Sequence, residues 1–203
     1  MKKYILLPFV LSILNSYNLR NRTNILNVQK IKDKCIFKDV VFKHITEDED
    51  PIKLIDYIGK KTIMIVNIAS GGGFTKKQYE GLQEIHKKYI NDLLLICVPS
   101  DSFKQEPKSN AEILEFVEVN FDGTFFLSEK SVVKGEKNLH PFYKIIKEKF
   151  NMNVNWNFYK YIITKDLQIE KFSPRTRPTS KKLINFLKED FKKPLLQNNG
   201  ECN

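Results

Sequence analysis

The sequence predicts an α/β domain built on a central sheet, and three patterns carry that prediction. Residues 62–68 and 93–98 are near-continuous apolar runs, which are typical of strands buried on both faces. Between them, residues 75–89 carry apolar side chains at helical spacing. Two further strand-like segments, 158–164 and 168–172, are separated by only three residues, so we expect a hairpin there.

The remaining elements complete the layout. Capping-box spacing at residues 75–78 and 109–112 predicts two helix starts, and helical patterns cover residues 141–150 and 180–191. The order is β-α-β-α followed by α-β-β-α, with a parallel first half and an antiparallel hairpin at the end. This order favours a thioredoxin-like fold, in which helices flank a central mixed sheet.

Charge and cysteine content limit the possible functions. The chain has 203 residues and a formal net charge of +10, which favours acidic partners in general. Its lysines occur as scattered pairs, so we interpret them as solvated helix faces and expect no nucleic-acid binding. The three histidines lie far apart, and Cys35, Cys97 and Cys202 have neither metal-ligand nor disulfide-framework spacing. We therefore expect no metal and no cofactor.

The chain divides into four predicted segments. Residues 1–18 combine a basic start with a short apolar stretch, which predicts a signal peptide or an uncleaved N-terminal anchor. Residues 19–34 predict a linker, residues 35–193 the folded domain and residues 194–203 a flexible tail. The protein is therefore expected to be secreted or exported, with membrane contact only through its N-terminal segment. No clear cleavage site follows the apolar stretch, so a cytosolic protein remains an alternative.

Five short blocks carry a resemblance to a known family. They are V-N-I-A-S-G-G-G-F-T at 66–75, P-S-D-S-F-K-Q-E-P at 99–107, N-L-H-P-F-Y at 138–143, W-N-F at 156–158 and F-S-P-R-T-R-P at 172–178. In order, they resemble the glutathione peroxidase motifs V-N-V-A-S-x-C-G-x-T, F-P-C-N-Q-F-x-x-Q-E-P, N-x-H-P-L-Y, W-N-F and Y-x-P-x-T-x-P. The second block is one residue shorter than the family's loop. Five blocks in the family's order make the resemblance specific over residues 35–190.

The resemblance implies a set of site positions. In glutathione peroxidases a cysteine or selenocysteine at a helix start reduces hydroperoxides, and glutathione or a thioredoxin-type protein regenerates it. A Gln, a Trp and an Asn donate hydrogen bonds to the reactive atom. These four positions correspond to Gly72, Ser102, Trp156 and Asn157, and the resolving cysteine of many members corresponds to Glu118. The reactive, Gln and resolving positions are thus substituted, whereas the Trp and Asn are retained.

The substitutions weaken the activity that the family name implies. Glycine has no side chain, so Gly72 cannot act as a nucleophile. The sequence therefore predicts a member of this family with little or no thiol peroxidase activity, acting as a binding or regulatory module. Glutathione, a thioredoxin-type protein and hydroperoxides are the partners that the resemblance implies. Trp156 is also compatible with a packing role alone.

Three alternatives stay open at this point. The chain could be a divergent peroxidase that uses Cys35, Cys97 or Cys202 as a relocated thiol. The glycine-rich loop at residues 71–73 could instead hold an anion at a helix start, although no phosphate-binding motif is present. Glycine and cysteine codons can differ by one base, which leaves open that the native residue at position 72 is not glycine.

Overall fold

A six-stranded mixed sheet forms the centre of the domain in this computed structural model, which describes residues 28–197 and residue 202. The strands are β1 Gln29–Lys30, β2 Val41–Phe42, β3 Ile52–Lys53, β4 Thr62–Ile68, β5 Leu93–Pro99, β6 Phe126–Leu127, β7 Lys160–Ile163 and β8 Gln168–Phe172. Their order in the sheet is β1-β8-β7-β4-β5-β6, while β2 and β3 form a separate antiparallel pair.

Helices cover the sheet and complete the predicted α/β, thioredoxin-like fold. Within the described residues they are α1 Thr75–Lys88, α2 Asn110–Phe121, α3 Pro141–Phe150 and α4 Lys181–Phe191. The unit β4-α1-β5 is parallel, and β7 and β8 form the antiparallel hairpin that the sequence predicts. Both halves of the predicted layout are therefore confirmed.

The two central strands bring the site loops together. Every residue of β4 is buried, and β4 pairs in parallel with β5 from Thr62 opposite Leu93 to Ile68 opposite Pro99. Parallel strands that end in register deliver their following loops to the same edge of the sheet. The loop after β4 and the loop after β5 are therefore neighbours, as the bond from Ser100 N to Ile68 O (3.0 Å) already shows.

Side chains of β4 alternate between two cores. Ile63 and Ile65 pack with the apolar side of α3 on one face of the sheet. Met64 and Val66 pack with α1, α2 and α4 on the other face. This alternation is the period of two expected for a strand, and both faces being apolar explains the continuous apolar run in the sequence.

The two predicted capping boxes have different outcomes. The one at Ser109 is confirmed: its hydroxyl accepts from Glu112 N (3.3 Å), and Ser109 N donates to Glu112 Oε2 (2.7 Å). The prediction that Thr75 caps α1 is wrong, because Thr75 is the first helical residue and Phe74 stands at the N-cap position. The Thr75 hydroxyl instead donates to Gly71 O (2.8 Å) and Ala69 O (3.2 Å), which fixes the preceding loop.

A disulfide joins the start of the domain to the C-terminal tail. Cys35 and Cys202 form a disulfide with their Cα atoms 5.3 Å apart, across a sequence separation of 167 residues. Within the segment predicted to be a flexible tail, Leu196 N donates to Gly59 O (2.8 Å), and the Leu196 side chain packs against Gly59. Sparse, odd cysteine spacing did not indicate this bond, because the pairing depends on how the folded tail returns to the start of the domain.

Other sequence predictions concern residues outside this description. The predicted signal peptide or anchor at residues 1–18 and most of the linker at residues 19–34 lie outside the described residues. The linker's last part includes β1, which pairs with β8. Among the described helices, none is long and apolar enough to cross a membrane.

The disulfide makes a prediction about stability. Replacing Cys202 with serine should lower the free energy of unfolding by about 2–5 kcal/mol, because the bond restricts the unfolded chain across a long loop. Urea unfolding of oxidised wild type, Cys35→Ser, Cys202→Ser and the double variant measures this cost. The double variant should be no less stable than either single variant, and reductant should weaken only the wild type. Equal unfolding midpoints for oxidised and reduced wild type would contradict the prediction.

His140 caps α3 as a neutral ring. Its Nδ1 accepts from Phe142 N (3.3 Å), so Nε2 carries the proton and donates to Val41 O (3.1 Å). The ring stacks on Phe42 with centroids 4.6 Å apart. Burial lowers the pKa of His140 to about 4 from its usual 6.5, against a smaller opposing effect of the bond to Val41.

The lowered pKa of His140 predicts acid sensitivity. Below the unfolded-state pKa, the unfolded chain binds a proton at His140 that the folded chain does not bind, so stability falls as the pH drops from about 6.5 towards 4. This single group should remove about 2 kcal/mol between about pH 7.5 and about pH 4.5. Comparing urea unfolding of wild type and His140→Gln at the two pH values isolates it. An identical pH dependence in the two proteins would refute the assignment.

Candidate functional site

The loop after β4 leads directly into α1 and contains Gly72, the position that the motif resemblance assigns to the reactive residue. Gly72 has φ +103°, a conformation that residues with a β-carbon rarely adopt. Thr75 N donates to Gly72 O (3.3 Å), and the Thr75 hydroxyl bonds described above hold the rest of the loop. The turn therefore has a defined shape in which Gly72 is exposed at the surface.

A buried carboxylate ties the loop after β5 to this turn. Glu106 is fully buried, and its two oxygens accept from Ser70 N (2.6 Å) and Ser70 Oγ (2.7 Å). A buried carboxylate is costly unless it is hydrogen-bonded, and both bonds here are charge-assisted. Gly71 N also donates to Gln105 O (2.9 Å), so the two loops are joined through side chain and backbone.

The third part of the site is the segment before β7, which carries Trp156 and Asn157. Asn67, on β4, anchors it from both sides: its Nδ2 donates to Trp156 O (3.0 Å), and its backbone oxygen accepts from Phe158 N (2.6 Å). Asn157 is fully buried, whereas the Trp156 side chain remains 42% exposed.

Gln105 occupies the space between these three segments. A β-carbon on Gly72 would lie 2.7 Å from Oε1 of Gln105, closer than real β-carbons approach another atom. The same Oε1 accepts a hydrogen bond from Asn157 Nδ2 (2.9 Å). The side-chain amide of Asn157 is therefore hydrogen-bonded to Gln105, and the Gln105 side chain occupies the space beside Gly72.

The predicted site residues are only partly brought together. Gly72 and Asn157 meet through Gln105. Ser102 instead accepts at its hydroxyl from Val133 N (3.1 Å) and from Ser100 Oγ (2.9 Å), which ties it to its own loop and to the segment before α3. Trp156 contacts the Phe103 ring at 5.5 Å between centroids. Glu118 is exposed on α2.

The cysteines offer no obvious replacement nucleophile. Cys97 is fully buried in β5, and burial raises the pKa of its thiol well above the usual value, with a smaller opposing effect of Lys160. A thiol of this kind is protonated and inaccessible, and therefore unreactive towards peroxide. Cys35 and Cys202 are bonded to one another. Within residues 28–197 and at 202, His, Cys, Asp and Glu side chains form no group that could hold a metal.

Sequence reasoning missed Gln105 and Glu106. Both belong to the Q-E-P block, which was read only as part of a resemblance and not as part of the site. The available signal was the length of that loop, one residue shorter than in the related motif. The missing residue lies between Phe103 and Gln105, so this departure directly precedes the side chain that approaches Gly72.

Comparison with known proteins decides the family. A glutathione peroxidase family model matches residues 39–147. The chain belongs to the glutathione peroxidase family. It is 34% identical to a glutathione peroxidase of Lactococcus lactis over an alignment of 161 residues. This alignment covers 76% of this chain and 97% of the relative. It is also 36% identical over 133 residues to the glutathione peroxidase-like peroxiredoxin HYR1 of Saccharomyces cerevisiae, covering 62% and 80% of the two chains.

Solved structures give the same relationship. The crystal structure of Trgpx in its apo form matches with a TM-score of 0.56 and 27% identity, covering 79% of this chain and 98% of that one. A secreted disulfide oxidoreductase of Mycobacterium tuberculosis matches with a TM-score of 0.52 at 10% identity, covering 76% of this chain and 96% of that one. The second likeness concerns the thioredoxin-like fold alone.

The contact between position 72 and Gln105 makes a prediction about stability. Gly72→Ala should destabilise this glutathione peroxidase family member by about 1–3 kcal/mol, mainly because alanine is strained at positive φ. Its β-carbon would also displace the end of the Gln105 side chain from its bond to Asn157, which adds a smaller cost. Gln105→Ala should remove the collision but not the backbone strain. A double-mutant cycle measured by urea unfolding should therefore give a favourable coupling of about 1 kcal/mol between the two substitutions.

Two other glycines serve as matched controls. A β-carbon on Gly73 would meet no atom within 4 Å, so Gly73→Ala should change stability by less than about 0.5 kcal/mol. Gly135 has φ +120° and equally open surroundings, so Gly135→Ala isolates the backbone strain. A Gly72→Ala protein destabilised no more than Gly135→Ala would mean that Gln105 adds no cost beside Gly72.

Proposed function

We propose that this protein is a glutathione peroxidase family member without standard thiol peroxidase activity, and that it acts as a binding or regulatory module. Peroxide reduction and the response to oxidative stress are the processes that the family suggests. The observation that carries the proposal is the filled position beside Gly72: there is no thiol or selenol there, and the Gln105 carboxamide takes the Asn157 hydrogen bond. The reaction requires a thiolate or selenolate that attacks the O–O bond and becomes a sulfenic or selenenic acid.

We also propose that the protein is exported. The signal-like residues 1–18 and the disulfide between Cys35 and Cys202 support the same compartment, because such bonds persist in oxidising surroundings and are rare in the cytosol. If the N-terminal segment is not cleaved, it would instead anchor the exported domain to a membrane. Glutathione, a thioredoxin-type protein and hydroperoxides are the partners that the family suggests.

One alternative has a specific observation in its favour. A peroxidatic cysteine and its resolving cysteine end each cycle as a disulfide, and Cys35 and Cys202 are joined in this way. In that case Cys35 or Cys202 would carry the sulfenic acid, and a thiol reductant would reopen the bond.

A peroxidase assay separates the two functions. Purified full-length protein is incubated with hydrogen peroxide or a lipid hydroperoxide, with glutathione or a thioredoxin system as reductant, and compared with a no-enzyme blank and a Cys35→Ser/Cys202→Ser variant. We expect wild type to match the blank. Turnover well above the blank that disappears in the double variant would establish the relocated-cysteine enzyme, and turnover in both proteins would overturn both functions.

A cysteine introduced at position 72 tests which residues prevent peroxidase activity at this site. Gly72→Cys should remain inactive or nearly so, because the new side chain meets Gln105 and Ser102 does not supply the missing donor. Gly72→Cys combined with Gln105→Ala should react faster with peroxide, since the space is open and Asn157 Nδ2 is free to donate. Trapping of sulfenic acid at position 72 is the measurement. Full activity of the single variant would mean that only the nucleophile is missing.

A further inference from the structure

A cavity of about 220 Å³ opens at the surface between three segments of the domain. One wall lies within residues 133–139, which precede α3, a second is formed by α3 itself, and the third lies within residues 152–155, which follow it. Among the described residues, neither Gly72 nor Gln105 nor Asn157 lines this cavity. Its chemistry is therefore independent of the turn that carries Gly72.

The inner wall of the cavity is apolar. Four of the lining side chains are buried, none of them more than 5% exposed: Val133, Tyr143, Met152 and Val154. Met152 and Val154 alternate with two exposed asparagines, which is the pattern of an extended segment that turns every second side chain inward. All four side chains belong to the core on that face of the sheet. A molecule that enters the cavity therefore meets mainly hydrocarbon and ring surface.

Charged side chains line the more exposed part of the cavity, which we call its rim. Lys134 and Glu136 belong to the segment before α3, and Lys147 belongs to α3. Lys147 Nζ forms an ion pair with Glu136 Oε1 (2.5 Å). Lys134 takes part in none of the ion pairs among the described residues, and its Nζ lies 5.3 Å from the centre of the Phe103 ring. Two ammonium groups and one carboxylate leave an excess of positive charge at the rim, which favours an anionic ligand.

The ion pair at the rim is of a kind that a ligand can replace. The Glu136 side chain is 87% exposed and the Lys147 side chain 38%, so water competes with their attraction and the pair contributes little to stability. A carboxylate on a small molecule inside the cavity would accept the same charge-assisted hydrogen bond from Lys147. That molecule would also bury apolar surface against the inner wall, which Glu136 does not do. Exchange of Glu136 for such a ligand is therefore favourable.

The volume of the cavity limits the size of the ligand. A cavity of roughly 150 Å³ lined by aliphatic and aromatic side chains accommodates benzene. About 220 Å³ therefore accommodates one ring, or a branched chain of similar size, together with a carboxylate. The cavity is smaller than the roughly 300–1,000 Å³ of pockets for drug-sized molecules.

We propose that this cavity binds a small organic monocarboxylate. Its aromatic or branched aliphatic body lies against Val133, Met152 and Val154, and its carboxylate bonds Lys147 in place of Glu136. The inference goes beyond the proposed function, because it assigns a ligand site that uses neither the Gly72 turn nor the disulfide. Binding involves no covalent or redox step.

Three probes of nearly equal size and different charge test the ligand chemistry: benzoate, benzyl alcohol and benzylamine. Each is titrated into the full-length protein at constant ionic strength, and methyl NMR signals of Val133, Met152 and Val154 report binding. Benzoate should saturate these shifts with a Kd of about 1 mM, since so small a molecule makes few contacts. Benzyl alcohol should bind at least about threefold more weakly and benzylamine more weakly still, because they lack the charge-assisted bond. The exposed Val119 on α2 should show no shift.

Charge-neutralising variants test the exchange at Lys147. Lys147→Gln should weaken benzoate about fivefold and leave benzyl alcohol within about twofold, because only the carboxylate uses the ammonium group. Glu136→Gln should tighten benzoate about two- to fivefold, since it removes the competing carboxylate. Lys144→Gln is the matched control, because Lys144 is exposed on the same helix, carries the same charge and does not line the cavity. It should change benzoate binding by less than about twofold.

Each contrary result overturns the carboxylate site. Methyl signals that do not move at up to about 20 mM benzoate would show that the cavity takes no such ligand. Benzylamine binding as tightly as benzoate would remove the preference for an anion. Equal losses in Lys147→Gln and Lys144→Gln would mean diffuse attraction by the basic surface, and unchanged affinity in Glu136→Gln would mean that no exchange occurs. Urea unfolding of each variant shows that lost binding is not lost folding. Peroxidase turnover by the wild type would overturn the proposed function and leave this site untouched, so the two failures are distinguishable.

Discussion

The buried carboxylate of Glu106 is the interaction on which the geometry of the site depends. Its oxygens satisfy both the backbone and the hydroxyl of Ser70, which joins the loop after β5 to the loop after β4 at the point where both leave the sheet. Loss of the carboxylate would leave the half-buried Ser70 N without its protein partner, which carries an energetic cost. Because Gln105 precedes Glu106 in the chain, the same tie delivers the Gln105 carboxamide to the Gly72 turn.

The geometry around Gly72 therefore depends on the packing of Gln105 as well as on the absence of a side chain at position 72. Glycine at position 72 has no side chain, which permits φ +103° and the close approach of Gln105. Asn157, which the motif resemblance assigns to the site, donates a hydrogen bond to that carboxamide. Gly72, Gln105 and Asn157 thus form one mutually dependent arrangement, which favours real divergence of the site over an isolated difference at a single codon.

Periodicity and turn chemistry were enough to predict the sheet, the helices and the terminal hairpin, because burial on one or two faces leaves a direct trace in the order of apolar residues. The motif blocks also singled out Gly72 and Asn157, and both of these residues approach the Gln105 side chain. Three features escaped prediction for a physical reason: each depends on where distant segments meet. Gln105 contacts Gly72 only in the folded structure. The Thr75 hydroxyl bonds two loop carbonyls and does not cap the helix. Cys35 and Cys202 are brought together by the fold and not by their spacing in the sequence.

The bond between Cys35 and Cys202 also has a topological meaning. Once it forms, the domain between the two residues is a covalent ring, and the ring can close only after the chain has been synthesised through Cys202, 167 residues beyond Cys35. A ring cannot pass through a narrow pore as a single extended strand. Any machine that threads this chain, for transport or for degradation, must therefore act before oxidation or must first reduce one bond.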